Sequence, residues 1–353
     1  MRNRTVVFVA LCLLLVACGG GKKKAAPPTT LPPTTAAPTT TATPPPVYPL
    51  TGLPVTDLTK LARPALVVKI DNADGDGAAN QARPQTGLNQ ADVVYEEKVE
   101  GAVTRLAAIF HSEDSAPVGP VRSARSTDVQ IFSPLNRPLF AWSGANPTFA
   151  AIIRDSPIVD VGYDAATGAY GRRSDRIAPH NLYSSTPDLY ALAPPDSKAP
   201  PALFLYRAAS EPLGAGAVPI GSIHLDFGGG GGSAPVDYGW DPARGGFGRN
   251  QRGTADVDEA GVQIAPNNVI VQFTNYIDTG ITDVVGTPVP EAQLVGTGRA
   301  LILTNGNVIE AVWTKTAPEA VATYADSTGK PIKLTPGRTW VELVPDGGAT
   351  VTG

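Results

Sequence analysis

Sulfur and imidazole are scarce in this chain, whose 353 residues include two cysteines, one methionine and three histidines. Both cysteines, Cys12 and Cys18, stand at the very start, so everything beyond them is free of thiols. That excludes a disulfide framework, thiolate metal sites and cysteine-nucleophile catalysis of the L,D-transpeptidase or sortase kind from the folded part. Gly-x-Ser-x-Gly, His-Glu-x-x-His and Walker patterns are missing as well. No segment past Cys18 is long and apolar enough to be a transmembrane helix. A net charge of −4 gives no basic excess, so nucleic acid is not an expected partner. No cofactor and no metal are expected: His224 and Asp226 alternate on one strand face, but two ligands do not make a site.

What is present begins at the head of the chain. Arg2 and Arg4 precede an apolar run over 6–16, and Leu15-Val16-Ala17-Cys18-Gly19 closes it. A basic head, a short apolar stretch and small residues before a cut are the parts of a secretory signal peptide, here residues 1–17. A cysteine at the cut resembles the bacterial lipobox, which implies cleavage before Cys18, a diacylglyceryl thioether on it, and an anchor of two or three acyl chains such as palmitate. The expected place is the cell membrane, lipid-anchored on the extracytoplasmic side, with membrane lipid as the partner of acylated Cys18. Residues 18–47 then run from a Gly-rich start through Lys22-Lys23-Lys24 into Pro, Thr and Ala. Such a segment has no apolar surface to bury and is expected to be a disordered tether.

The remainder, 42% hydrophobic when the whole chain is counted, is long enough for two domains. The expected fold class is α+β: a mixed α/β N-terminal domain over 48–192, then a smaller β-rich domain over 202–353, a sandwich or open barrel. Runs at 65–70, 92–99 and 104–111 read as strands, the last two as a hairpin. Stretches 123–131 and 146–154 read as helices, the second with Asn146 as N-cap and Pro147 in its first turn. Short strands are expected at 222–227, 268–276, 298–304, 308–315, 331–334 and 339–344, divided by turn pairs such as Asn305-Gly306 and Pro336-Gly337. The glycine run at 228–232 follows a strand but opens no helix, and Ser327-Thr328-Gly329-Lys330 is a turn between strands, so neither carries chemistry.

Several strings in order are similar to one family. They are Arg63-Pro64-Ala65-Leu66-Val67-Val68-Lys69-Ile70-Asp71-Asn72, Ala82-Arg83-Pro84-Gln85-Thr86-Gly87-Leu88, Asp92-Val93-Val94-Tyr95-Glu96-Glu97 and Gly119-Pro120-Val121-Arg122-Ser123-Ala124-Arg125. Ala178-Pro179-His180-Asn181-Leu182-Tyr183, Asn268-Val269-Ile270-Val271-Gln272 and Pro336-Gly337-Arg338-Thr339-Trp340-Val341 continue the series. Together they resemble the DUF3048, or YerB-like, family of bacterial lipoproteins. The resemblance implies two domains behind a lipid anchor and implies no reaction.

Chemistry is read from the charged residues of the first half. With Gly101-Ala102 as a two-residue hairpin loop, Val99 lies opposite Thr104 and Glu97 opposite Leu106. That places Glu97 alone on an apolar face with Val93, Tyr95, Val99, Leu106, Ala108 and Phe110, while Glu96, Lys98, Glu100, Arg105 and His111 share the other. A buried carboxylate needs a charged partner, for which Arg122 and Arg125 are candidates. If a helix opens after Gly119-Pro120, those two arginines share its face and suit an anion. His180, in a loop, is a candidate acid or base with Glu96, Glu97 and Glu100, and Arg105, Arg122 and Arg125 are the candidate ligand-binding residues. Two functions are open: binding or scaffolding of an anionic cell-wall or glycan ligand, and an envelope hydrolase or transferase acting on glycan or phosphodiester material. They differ in whether a carboxylate and His180 meet at hydrogen-bond reach.

Overall fold

A computed structural model describes residues 45–73, 75–228, 235–283 and 286–353; the signal peptide, Cys18 and the tether up to position 44 lie outside them. Within 45–353, which form one compact unit, the first strands appear where β-branched runs were read. They are β1 (Leu66–Asp71), β2 (Val93–Lys98) and β3 (Thr104–Phe110). β4 (Leu139–Ala141) and β5 (Val159–Asp160) follow, then a short ribbon of β6 (Gly171–Arg172) and β7 (Leu182–Tyr183). Next come β8 (Val218–Pro219), β9 (Ser222–Leu225), β10 (Val236–Asp241), β11 (Gly246–Gln251) and β12 (Thr254–Ala255). The last third holds β13 (Asn268–Phe273), β14 (Tyr276–Thr282), β15 (Pro288–Ala292), β16 (Gly296–Thr304) and β17 (Asn307–Lys315). β18 (Thr323–Ala325), β19 (Thr339–Val344) and β20 (Ala349–Thr352) complete the chain.

The architecture is α+β and mostly strand. One large mixed sheet runs β18-β17-β16-β13-β19-β2-β3-β1-β4-β5, with β8 added beside β17. The expected boundary near 193–201 is therefore no gap in the packing, because β19 from the second segment lies parallel to β2 of the first. A second sheet, β12-β11-β10-β9-β20, covers one face. Leu66, Val68, Val94, Leu106 and Phe110 of the large sheet share a core with Ile223, Val236 and Tyr238 of the smaller one. On the opposite face Val67, Val93, Ala107 and Ile109 share a core with residues of α2 (Thr127–Phe132) and α3 (Pro147–Arg154), the helices that follow the one-turn α1 (Leu58–Leu61). A sheet buried on both faces explains why β1 and β3 read as continuous rather than alternating apolar runs.

Four expectations are corrected. The hairpin register is one residue off the sequence reading: Glu96 faces Leu106 and Glu97 faces Arg105. The cause is the loop, which spans 99–103 as a 3₁₀ turn closed by Val99 N–H to the Val103 carbonyl, with Gly101 at φ +72°. A one-residue slip exchanges faces throughout a strand. Helix α2 begins at Thr127 rather than Ser123, because residues 121 and 122 pair with β1: Val121 bridges Ile70 and Arg122 N–H donates to the Lys69 carbonyl. No strand forms at 331–334, where Pro331 and Leu334 make only isolated bridges. The end of the tether is ordered, since Val47 bridges Pro54 and Val55 N–H donates to Pro46. The helix expected at 146–154 does form, with Asn146 accepting from Thr148 N–H at 2.9 Å.

Candidate functional site

The end of β1 gathers three distant pieces of chain. Asp71 terminates the strand; residues 118–122 run antiparallel beside it through the Ile70–Val121 bridge; residues 180–184 lie beside those through the Val118–Ser184 bridge. Gly119 makes this layering possible. At φ +148°, a Cβ there would stand 3.0 Å from the Leu182 carbonyl oxygen and 2.8 Å from the Tyr183 ring. The result places Arg122 Nε 3.0 Å and His180 Nδ1 2.8 Å from the same oxygen, Asp71 Oδ2.

Electrostatics fix the roles in this group. Burial pushes the Asp71 carboxyl up, but the His180 hydrogen bond and the charges of Arg122 and Arg105 prevail and hold it below its ordinary value. An ionised carboxylate only accepts, so His180 donates from Nδ1 and a neutral ring keeps Nε2 as its basic nitrogen. Arg122 keeps 25% of its side chain exposed, against 8% for His180 and 1% for Asp71. The group is open to solvent chiefly on its guanidinium side.

Beneath it, on the same face of the sheet, the charges pair among themselves. Arg125 clamps Glu100 with two nitrogens, Nε at 2.8 Å and Nη2 closer, and Arg105 reaches the same carboxylate at 3.2 Å. Deeper still, fully buried Lys69 holds Glu97 and, at 2.7 Å, Asp128. Asp128 also accepts from Arg125 N–H at 2.7 Å, which occupies the start of α2 from within. Burial pushes the Glu97 carboxyl up, with Lys69 pulling against it.

The sequence candidates thus fall into three places. His180 and Arg122 meet, and they meet on Asp71, which stands just past the 65–70 run read as a strand and was not among the candidates. Glu97, Glu100, Arg105 and Arg125 lie in the paired layer beneath, where Lys69 rather than Arg122 or Arg125 is the partner of Glu97. Glu96 is on the opposite face of β2, buried against Arg249 at 2.6 Å and Thr104 Oγ1 at 2.6 Å. His224 pairs with Asp237 across β9 and β10, at 2.7 Å, and both are exposed. The signal for Asp71 was available in the sequence, because Asp71, Arg122 and His180 each sit in one of the family-like strings.

Comparison with known proteins agrees with those strings. The family model described as "Protein of unknown function (DUF3048) N-terminal domain" matches residues 50–198, and that of the C-terminal domain matches 223–341. The chain is 30% identical over 310 residues to "Putative lipoprotein YerB" of Bacillus subtilis (strain 168), covering 84% of this chain and 86% of the relative. The crystal structure of the YerB protein from Bacillus subtilis aligns with a TM-score of 0.73 at 26% identity, over 87% of this chain and 99% of that one.

Proposed function

Because the chain belongs to the DUF3048 family and is similar along most of its length to a putative lipoprotein, we propose that it is a lipid-anchored extracytoplasmic protein that binds an anionic cell-envelope ligand at Arg122 and His180. The observation that carries this reading is the shared hold of Asp71 on both side chains. Fixing a guanidinium and an imidazole on one carboxylate removes the entropy of positioning them: the guanidinium nitrogens turned away from Asp71 donate to the anion, and Nε2 of the neutral ring accepts from a hydroxyl of the same ligand. Arg105 and Arg125, tied to Glu100, support the group from below rather than meeting ligand themselves.

Calorimetric titration with inorganic phosphate and with solubilised cell-wall fragments tests the site. Arg122→Gln should weaken binding at least tenfold and leave the melting curve nearly unchanged, and undiminished binding would refute the assignment. A second reading, hydrolysis of such fragments, is favoured by the carboxylate-oriented imidazole, a base arrangement common in hydrolases. In that case product release from the fragments stops in His180→Ala and in Asp71→Asn. For the anchor, Cys18→Ala should leave the chain uncleaved or shift the mature protein from the membrane to the soluble fraction; cleaved protein that still partitions into detergent without acyl label would contradict it.

A further inference from the structure

Far along the large sheet, at the end of β17, Lys315 is 5% exposed and donates from Nζ to the Gln130 carbonyl at 2.7 Å. An ammonium has three donors, and among the described residues no carboxylate lies within ion-pair distance of this one. Burial pushes it down to about 8, with Glu319 offsetting part of the effect. Lys315 lines a hollow of about 20 Å³, enough for one small polar group, together with Gln130 and Gln272. Gln272 accepts from the Tyr324 hydroxyl at 2.8 Å, so its amide NH₂ is a second donor beside the hollow.

The other wall of the hollow is Leu203, Phe204, Val321 and Ala322. The same four residues line an open groove of about 400 Å³ that continues over Ile332 and Leu334, with Leu205 on its rim at 54% exposure. We propose that this groove binds a single-chain aliphatic carboxylate, the chain lying along Leu205, Ile332 and Leu334 and the head group meeting Lys315 and Gln272. Charge complementarity selects the acid: the buried ammonium has no ion-pair partner among the described residues, and the groove on the far side of the shared wall is lined mostly by carbon. Leu203, Phe204, Val321 and Ala322 stand between groove and hollow, so the proposed binding requires the Phe204 ring to turn aside for the head group. This site is separate from the Arg122 group and does not depend on the function assigned there.

Titrating the full chain carrying Cys18→Ala with dodecanoate and with dodecanol, both below their micellar range, tests the proposal. Dodecanoate should bind at least tenfold tighter than dodecanol. Lys315→Met should bring dodecanoate down to the level of dodecanol, and Leu205→Glu, at an exposed rim position that folding does not need, should weaken both at least tenfold. Equal affinity for acid and alcohol, binding of neither, or a preference for the acid that survives Lys315→Met would overturn it. Should Lys315→Met fail to fold, amide shifts on adding dodecanoate decide instead: changes at Gln272 and Ala322 support the site, and changes only elsewhere refute it.

Discussion

Two side chains show how differently burial weighs on a charge. Lys69 is fully buried between Glu97 and Asp128, so removing it strands two carboxylates in the core. Lys69→Met should cost about 3–5 kcal/mol, whereas Arg122→Ala, which removes a partly exposed guanidinium and leaves Asp71 its bond to His180, should cost about 1 kcal/mol or less; denaturant melts compare them directly. Arg125→Ala belongs with the first class, because Glu100 loses a two-point clamp. His111 is the opposite case, a buried ring that no acidic side chain among the described residues pairs with. Burial and the charge of Arg63 push it down to about 4 from 6.5. The unfolded chain therefore takes up the proton first as pH falls, and stability is lost between pH 6.5 and 4, by about 3 kcal/mol in all. His111→Phe should flatten that part of the profile, read from urea melts at pH 7, 5.5 and 4.5; an unchanged slope would place the acid sensitivity elsewhere.

Among the elements, strand identity was legible and strand partnership was not. Runs such as 65–70 and 339–344 announce strands by composition, yet nothing in them says that β19 will lie beside β2. That pairing sets Glu342 next to Glu96 on a face closed by the second sheet, where Arg249 pairs with Glu96 and Tyr238 donates to Glu342 at 2.5 Å. Glu342 escaped notice in the sequence because its strand read as plain core, and Arg249 because it lies on a sheet formed only later in the chain. The hairpin faces were missed for a similar reason: a 3₁₀ loop and a two-residue loop differ by one residue of register, and composition does not distinguish them. Burial raises the Glu342 carboxyl well above its ordinary value, and Glu96 adds to the effect. A group whose folded value is raised stabilises at low pH and loses that contribution as pH rises through the folded value. Glu342→Gln should thus be close to neutral near pH 4, below the ordinary carboxyl value, and increasingly stabilising relative to the parent as pH rises above it, and a variant that is destabilised equally at every pH would argue that the proton is not held there.

At the scale of the molecule, the two segments matched by the family models share one sheet, and its order predicts how far each stands alone. β19 sits between β13 and β2, so a chain ending at residue 200 exposes the open edge of β2 and half of both cores. Expressed apart, 45–200 and 201–353 should each fail to give a cooperative melt, and mixing them should restore one; a sharp transition in either piece alone would show that its core is sufficient. The N-terminal end has its own boundary, and it is not where composition changes. Leu50 is fully buried, its carbonyl accepts from Tyr206 at 2.5 Å, and the Thr51 carbonyl accepts from Gly337 N–H at 2.8 Å. The Pro/Thr-rich stretch before position 45 offers no comparable apolar surface. Removing 19–44 should therefore shift the melting temperature by less than about 2 °C, while removing 19–55 takes Leu50 from the core and should lower it by about 5 °C or more. Equal melting of the two shortened forms would mean that the 45–55 segment merely rests on the sheet, and a large drop from the first deletion would mean that the stretch before position 45 packs against the folded unit.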